Sequence, residues 1–255
     1  GCTWPDGLRC DVQGNLGGWN GVDYTEFNDA HKQKIRAHYA ALVKQIDDEI
    51  GDILAALERT GQLENTIIIF ASDHGDYLGD HGMIGKSSFY ESSCHVPMIL
   101  AGPGIDGPAV SQEIVALLDV TASLLHAGGA ELPDYLDSRP LPGLDAQRTP
   151  HETLFGATSS GWMLYDGRWK LCKYATGDIL FFDLENDPTE EDNLAGDPAH
   201  LARYLAMDAA LSQELMRSLT AANSDRRVYT GNSMWNDADF GKRGWRRRYP
   251  QPIEE

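Results

Sequence analysis

The chain has 255 residues, and its 39 Asp and Glu residues against 21 Lys and Arg give it a formal net charge of −18. Hydrophobic residues make up 42% and charged residues 24%, which is the balance of a folded globular protein rather than a disordered one. The acidic charge argues against a nucleic-acid or anionic-membrane partner, because both need a basic surface. No apolar run approaches the roughly 20 residues of a membrane-spanning helix.

The first segment, residues 1–26, is rich in glycine and turn residues and has neither helical nor strand periodicity, so we predict irregular structure there. The chain starts without Met and without a signal-like apolar stretch. Because the start of the gene product can be absent, the compartment stays open between the cytoplasm and the periplasm or the outside of the cell. Four cysteines are too few for a disulfide scaffold; Cys2 and Cys10 are close enough to be bridged, but four free thiols is the favoured interpretation.

Apolar residues recur at steps of three and four after Asn28, a suitable N-cap, and predict a long amphipathic helix that ends near Gly61. Two continuous apolar runs follow, at residues 67–71 and 96–100. Such runs are typical of strands buried on both faces of a parallel sheet. Residues 112–127 predict a short strand followed by a helix.

The pattern changes after a proline-rich linker at residues 132–150. Leucines at helical spacing near residues 198–220 predict a terminal packing helix. The predicted fold class is therefore α/β, with a mostly parallel sheet flanked by helices in residues 1–150 and a small antiparallel sheet with a packing helix in residues 151–255. Short alternating runs bounded by turns predict the strands of the second sheet at residues 152–157, 161–166, 168–174 and 179–183.

The densest polar segment is residues 72–86, SDHGDYLGDHGMIGK. Asp73 and His74 directly follow the first predicted strand, which is where open α/β sheets place ligand-binding groups. A carboxylate and an imidazole can ligate one divalent cation, although two ligands are too few for a complete site. Lys86 can then bring a positive charge to an anionic substrate. The competing interpretation is that Asp73 caps a turn and His74 is a structural histidine.

Residues 66–104, TIIIFASDHGDYLGDHGMIGKSSFYESSCHVPMILAGPG, resemble the C-terminal signature of the sulfatases, in the alkaline-phosphatase-like superfamily. The resemblance continues in order along the chain and covers roughly residues 30–220. Residues 46–51 resemble the long helix before the signature, residues 118–121 with 127–128 the helix after the second strand, and residues 180–194 the small C-terminal domain.

This resemblance implies that Asp73 and His74 are two ligands of a single divalent metal, most often Ca²⁺, with Mn²⁺ and Mg²⁺ as alternatives. It also implies that Lys86 contacts the oxygens of a sulfate ester and stabilises charge in the transition state. His81 is a further candidate for substrate binding, and its competing interpretation is a loop-stabilising histidine. The substrate implied is a sulfate-ester small molecule or a sulfated sugar.

The chain departs from the family pattern before this signature. Sulfatases use a formylglycine nucleophile made from the Cys or Ser of a Cys-x-Pro-x-Arg motif, and a pair of N-terminal Asp residues completes their metal site. Residues 2–6, CTWPD, place proline one position late and lack the arginine, and the other cysteines fit no better. We therefore predict the C-terminal portion of a sulfatase-type hydrolase, inactive alone, whose partner is the N-terminal half of the same enzyme or a second copy of this chain.

Two other functions compete with this prediction. One is a phosphodiesterase or phosphonate monoester hydrolase of the same superfamily, and the other is a non-catalytic binding module that keeps the fold without the chemistry. The basic segment at residues 242–249, KRGWRRRY, also suggests polyanion binding, against a solvated or internally paired tail.

Overall fold

The structure is a computed structural model and describes residues 28–133, 136–158 and 160–227. Predictions for residues 1–26, for Cys2 and Cys10 and for residues 242–249 lie outside the described residues. The chain divides into two compact units between Tyr204 and Leu205, and the first unit contains both sheets described below. The domain boundary expected at residue 150 stays a prediction. Within the described residues, no helix has the length and apolar character that a membrane span requires.

The long helix α1 spans Asp29–Arg59, close to its predicted bounds. Its start is a reciprocal cap: the Asn28 side chain accepts from the His31 backbone N–H, and the His31 ring accepts from the Asn28 backbone N–H. The predicted apolar face, however, has no buried residue within the described chain. Ile46 and Ile53, for example, are 55% and 60% exposed.

The first sheet has two strands, β1 (Ile68–Ala71) and β2 (Met98–Ala101), which pair antiparallel with Ile69 opposite Leu100. The prediction that this pair is parallel and buried on both faces is wrong, since β1 is only half-buried. A parallel pair needs a crossover that returns the chain to the opposite end of the sheet. The connection here is a loop with a short 3₁₀ helix (Asp80–Gly82) and one short α-helix, α2 (Glu91–Cys94), and the chain re-enters the sheet at the end it left.

The helix expected within residues 112–127 is α3 (Leu118–Ala127), but the short strand expected before it is absent from the described chain. The backbone N–H of Ala116 instead donates to the Asp119 carboxylate at 2.9 Å. This hydrogen bond uses the Ala116 N–H, which in a strand would have donated to a neighbouring strand. The residues before α3 therefore form a turn.

The linker after α3 is fastened to the helix by a buried carboxylate and a buried hydroxyl. Asp119 is fully buried and accepts from the Arg139 backbone N–H at 2.9 Å, and its oxygens lie 3.0 and 3.1 Å from His151 Nε2. The Ser123 hydroxyl donates to the Asp119 carbonyl and accepts from the Leu141 N–H at 2.8 Å. These bonds give the buried Asp119 carboxylate and the buried Ser123 hydroxyl their hydrogen-bond partners.

The second sheet confirms the predicted antiparallel strands to within two residues at each end. The strands are β3 (Leu154–Ala157), β4 (Gly161–Tyr165), β5 (Trp169–Tyr174) and β6 (Ile179–Asp183), and they pair in sequence order. The predicted terminal helix is α4 (Leu201–Arg227), preceded by a short turn of 3₁₀ helix.

Successive side chains of a strand point to opposite faces, so each face of the second sheet has its own neighbours. On one face, Phe181 meets the ring of Tyr204 edge-on at 5.8 Å. The other face packs against the loop that follows β1 and forms the main apolar core. Its buried members from loop and sheet are Tyr77, Met83, Phe89, Tyr90, Met163, Cys172, Tyr174, Leu180 and Phe182.

Candidate active site

The loop between β1 and α2 begins with the two predicted metal ligands. Asp73 and His74 follow the last residue of β1 by two and three positions. The His74 backbone N–H donates to Asp73 Oδ1 at 2.9 Å, and His74 Nε2 lies 3.2 Å from Asp73 Oδ2. The side chains are 84% exposed for Asp73 and 39% exposed for His74. A carboxylate oxygen and an imidazole nitrogen therefore face each other at the end of the strand, open to solvent.

The hydrogen bond at His74 Nδ1 indicates which nitrogen of the imidazole is available to bind a cation. His74 Nδ1 lies 2.9 Å from the Gly75 carbonyl oxygen. A carbonyl can only accept, so Nδ1 carries the hydrogen. When the ring is neutral, the Nε2 lone pair faces the Asp73 carboxylate, and either a bound cation or a proton on Nε2 relieves the repulsion between these two acceptors.

The pair fits a divalent cation but does not complete its coordination shell. Across the described ranges, no group of three or more His, Cys, Asp or Glu side chains converges as a metal site. A third His, Cys, Asp or Glu ligand would therefore have to come from outside the described residues.

The base of the loop is closed at Gly75. Its backbone N–H donates to the Ser93 carbonyl at 2.8 Å. A Cβ placed on Gly75 would lie 2.1 Å from the Ser92 carbonyl oxygen, which is far inside van der Waals contact. Only glycine permits this approach of two backbones directly after His74.

The middle of the loop joins the Asp73–His74 pair to Lys86. Asp76 Oδ1 accepts from the backbone N–H groups of Leu78 and Gly85, at 2.9 and 3.2 Å. The Tyr77 N–H donates to the Gly85 carbonyl at 2.9 Å. The segment just after His74 is thus held against the residue just before Lys86, which is half-buried. The structure places Asp73, His74 and Lys86 on one closed loop.

Tyr77 also holds the chain after Lys86. The buried Tyr77 hydroxyl donates to Ser88 Oγ at 2.6 Å, and Ser88 Oγ accepts from the Tyr90 N–H. Burial raises the pKa of Tyr77, so its hydroxyl stays a donor. Ser87, between Lys86 and this contact, has a φ of 102°. A serine held at such an angle is strained and needs support from its surroundings.

His81 lies inside the loop rather than at its surface. It is 7% exposed, and its imidazole stacks on the Tyr90 ring with centroids 3.8 Å apart. Burial lowers the pKa of His81, which favours a neutral ring. Of the two interpretations of His81, substrate binding and loop stabilisation, this placement supports the second.

Arg36 of α1 was not suggested by the sequence as part of the site. Its Nε donates to the Leu78 carbonyl at 2.9 Å, and its Nη2 pairs with Asp80 Oδ1 at 2.8 Å. The partners are 42 and 44 residues away in the sequence, so no local pattern could have indicated this contact. It attaches the long helix to the middle of the loop.

A buried lysine below the loop was also missed. Lys170 of β5 is 1% exposed and lies 2.5 Å from Glu91 Oε1 and 2.7 Å from Glu190 Oε1. The alternation of β5 places it on the same face as Cys172 and Tyr174, both buried. A lysine on the apolar face of a predicted strand was the signal that could have found it.

The fold and the loop define the class of protein: a partial α/β fold of the alkaline-phosphatase-like superfamily, with a small antiparallel sheet toward its C-terminal end. Family profiles agree with this assignment. The profile described as Sulfatase matches residues 17–130, and the profile described as N-sulphoglucosamine sulphohydrolase, C-terminal, matches residues 79–219. The chain belongs to the sulfatase family.

Individual proteins are similar to this chain over part of their length. A choline-sulfatase from Rhizobium meliloti (strain 1021) is 34% identical over 200 residues, which are 75% of this chain and 37% of that protein. A solved 2-O GAG sulfatase superposes with a TM-score of 0.71 at 27% identity, covering 78% of this chain and 46% of that one. A phosphonate monoester hydrolase from Silicibacter pomeroyi superposes with a TM-score of 0.67 at 28% identity, covering 74% of this chain and 42% of that one. The chain spans 33–38% of the length of the curated relatives it matches.

Proposed function

We propose that this chain is the C-terminal portion of a sulfate-ester hydrolase, in which Asp73 and His74 hold a divalent cation and Lys86 binds the sulfate oxygens. The observation that carries the proposal is the 3.2 Å approach of His74 Nε2 to Asp73 Oδ2 at the end of β1. Membership of the sulfatase family supports the reaction class.

The chain's own residues contribute charge and orientation. The hydrogen bond from Nδ1 to the Gly75 carbonyl orients the His74 ring and leaves Nε2 as the ligand atom. A bound cation, Ca²⁺ or alternatively Mn²⁺ or Mg²⁺, would supply a Lewis acid for the ester's oxygens. The Lys86 ammonium adds a positive charge where negative charge develops as the ester bond breaks.

The nucleophile is proposed to come from outside this chain. None of the four cysteines stands in a Cys-x-Pro-x-Arg motif from which a formylglycine could be made. The chain spans only 33–38% of the length of the curated relatives it matches, and this supports our expectation that it is inactive alone. The exposed apolar face of α1 supports the same view, because a face of this kind needs a partner surface. The N-terminal half of the enzyme is the proposed partner, and a second copy of this chain is the alternative.

The proposed substrate class is a sulfate ester of a small molecule or of a sugar. The similar choline-sulfatase supports a small ester, and the similar 2-O GAG sulfatase supports a sulfated sugar. A second function, hydrolysis of phosphonate monoesters, is supported by the likeness to the Silicibacter pomeroyi hydrolase. Sulfate and phosphonate esters both present anionic oxygens to a cation and a lysine, so the loop alone does not separate them.

Turnover of 4-nitrophenyl sulfate and of a phenylphosphonate monoester tests these proposals. The substrates are given to the 255-residue chain and to the protein encoded together with the upstream sequence. We expect turnover by the longer protein only, sulfate preferred, and loss of activity on treatment with EDTA. Turnover by the chain alone would overturn the proposal of a missing nucleophile, and preference for the phosphonate ester would favour the second function.

Substitution of the ligands tests the metal site in the same protein. Asp73→Asn and His74→Gln should each lower kcat/KM at least tenfold and weaken the dependence on added Ca²⁺. Asp52→Asn, on the exposed part of α1, is the matched control and should leave both unchanged. Equal metal dependence in all three variants would show that Asp73 and His74 are not metal ligands.

A further inference from the structure

The buried lysine of the second sheet reaches into the loop that carries Lys86. Lys170 Nζ donates to the Phe89 carbonyl at 2.8 Å and to Glu91 Oε1 at 2.5 Å. It also forms a 2.7 Å ion pair with Glu190 Oε1, whose partner oxygen Oε2 accepts from the Glu91 backbone N–H at 2.6 Å. Glu190 adopts a φ of 57°, an uncommon conformation for a non-glycine residue. The four groups form one buried polar network at the end of the loop.

The charges of this network are set by their mutual contacts. Burial alone would lower the pKa of Lys170, but nearby Cys94, Glu190 and Glu91 outweigh it and raise it, so the ammonium stays charged. Burial opposes the ionisation of Glu91, yet the hydrogen bond from His95 and the charge of Lys170 bring its pKa to about 2. Burial raises the pKa of Glu190, but an ammonium and a backbone N–H face its two oxygens, which is the geometry of an ionised carboxylate.

A buried ion pair gives little net stability compared with apolar residues of the same size, because desolvation offsets the attraction. What it does give is a definite arrangement of the groups it joins. Here those groups are backbone atoms of Phe89 and Glu91, which lie within five residues of Lys86. The rings of Phe89 and Tyr90 pack on the same sheet.

The segment after Lys86 is therefore held at successive points. Ser88 is hydrogen-bonded to the Tyr77 hydroxyl, and the Phe89 carbonyl accepts from Lys170. The Glu91 backbone N–H donates to Glu190. Only the exposed Ser87, with its positive φ, lies between Lys86 and the first of these contacts.

We infer that Lys170 is a positioning residue for Lys86: from the second sheet it fixes the backbone of residues 87–91 and so sets where the Lys86 ammonium meets the substrate. This inference rests on the proposed role of Lys86 in binding the sulfate oxygens. Lys170 itself touches neither substrate nor metal in this arrangement. Its effect on the reaction passes through the loop backbone.

Hydrogen–deuterium exchange of the 255-residue chain tests the structural half of the inference without any activity. The double variant Lys170→Met/Glu190→Met replaces the ion pair with apolar side chains, and Glu91 keeps its 2.7 Å contact with His95. We expect faster exchange at residues 85–91 and unchanged exchange at residues 161–174. Lys173→Met, on the same strand but the opposite face, is the control and should change neither segment. Unchanged exchange at residues 85–91, or an equal rise throughout the sheet, would overturn the inference.

Kinetics of the longer protein test the functional half. Lys170→Met should lower kcat for 4-nitrophenyl sulfate by about 10- to 100-fold, because small misplacements of a catalytic group cost that much. In the Lys86→Met background the same substitution should have little further effect, since both act through one contact. Independent, multiplying losses would overturn the inference. Absence of wild-type turnover would instead refute the proposed function, and the exchange experiment would still decide whether Lys170 positions the loop.

Discussion

The imidazole of His81 stacks on the phenol ring of Tyr90, with ring centroids 3.8 Å apart and planes inclined by 20°. His81 has a φ of 51°, so the loop turns sharply where the ring enters the interior. Tyr90 in turn contacts Phe182 of β6 at 6.0 Å between centroids. The stack thus connects the turn of the candidate-site loop to the second sheet.

The pH dependence of stability follows from this burial. Because the pKa of His81 is lowered in the folded protein, the unfolded chain binds more protons once the pH falls below about 6.5. Stability should therefore decrease as the pH falls through that value toward the folded pKa. His81→Phe keeps a stacking ring that does not titrate, so it should lose less stability between pH 7.5 and 5.5 than the wild type. Urea unfolding at both values measures this, with the exposed His38→Gln as control; equal losses for wild type and His81→Phe would contradict it.

The close approach at Gly75 predicts a large effect of one methyl group. Gly75→Ala should destabilise the chain by about 1–3 kcal/mol, since either the loop or the Ser92 backbone must move. Gly196→Ala meets no atom within 4 Å and should change stability by less than about 0.5 kcal/mol. Chemical denaturation compares the two variants. Equal stability would mean that the two backbones do not approach as described.

The buried Asp119 should be important for attaching the linker to α3. Asp119→Ala leaves the N–H groups of Ala116 and Arg139 and the His151 ring without their acceptor, so we expect a loss of about 2–3 kcal/mol. Asp106→Ala, at an exposed position, is the matched control and should be close to neutral. Thermal unfolding of both variants measures the difference. A neutral Asp119→Ala would show that water replaces the carboxylate at no cost.

The exposed face of α1 gives a prediction that separates the chain from the longer protein. In the 255-residue chain, Ile46→Gln with Ile53→Gln should reduce binding of a hydrophobic dye and leave stability nearly unchanged, since neither side chain is buried. In the longer protein the same pair should be destabilising by about 1.5–3 kcal/mol for each side chain that becomes buried. Dye fluorescence and denaturation measure the two effects. If the two substitutions changed stability equally little in both proteins, the N-terminal half would not be the partner of this face.

Local signals were sufficient for much of the fold. The start of α1 follows from Asn28 and its cap, and the second sheet follows from alternating strands joined by turn residues. The direction of β1 relative to β2 was predicted wrongly, because an apolar run indicates burial and not orientation. The strand expected before α3 was also wrong, since the Asp119 carboxylate takes the backbone donor of Ala116.

The sequence by itself determined which side chains the candidate site brings together, because Asp73, His74 and Lys86 lie within fourteen residues of one another on one loop. Only the tertiary structure decided what holds that loop. Lys170 and its partner Glu91 are 79 residues apart, and Arg36 and Asp80 are 44 residues apart. Neighbouring residues stay close in any fold, so their chemistry can be inferred from spacing. Contacts between distant residues exist only after sheets and helices have packed, and no local pattern specifies them.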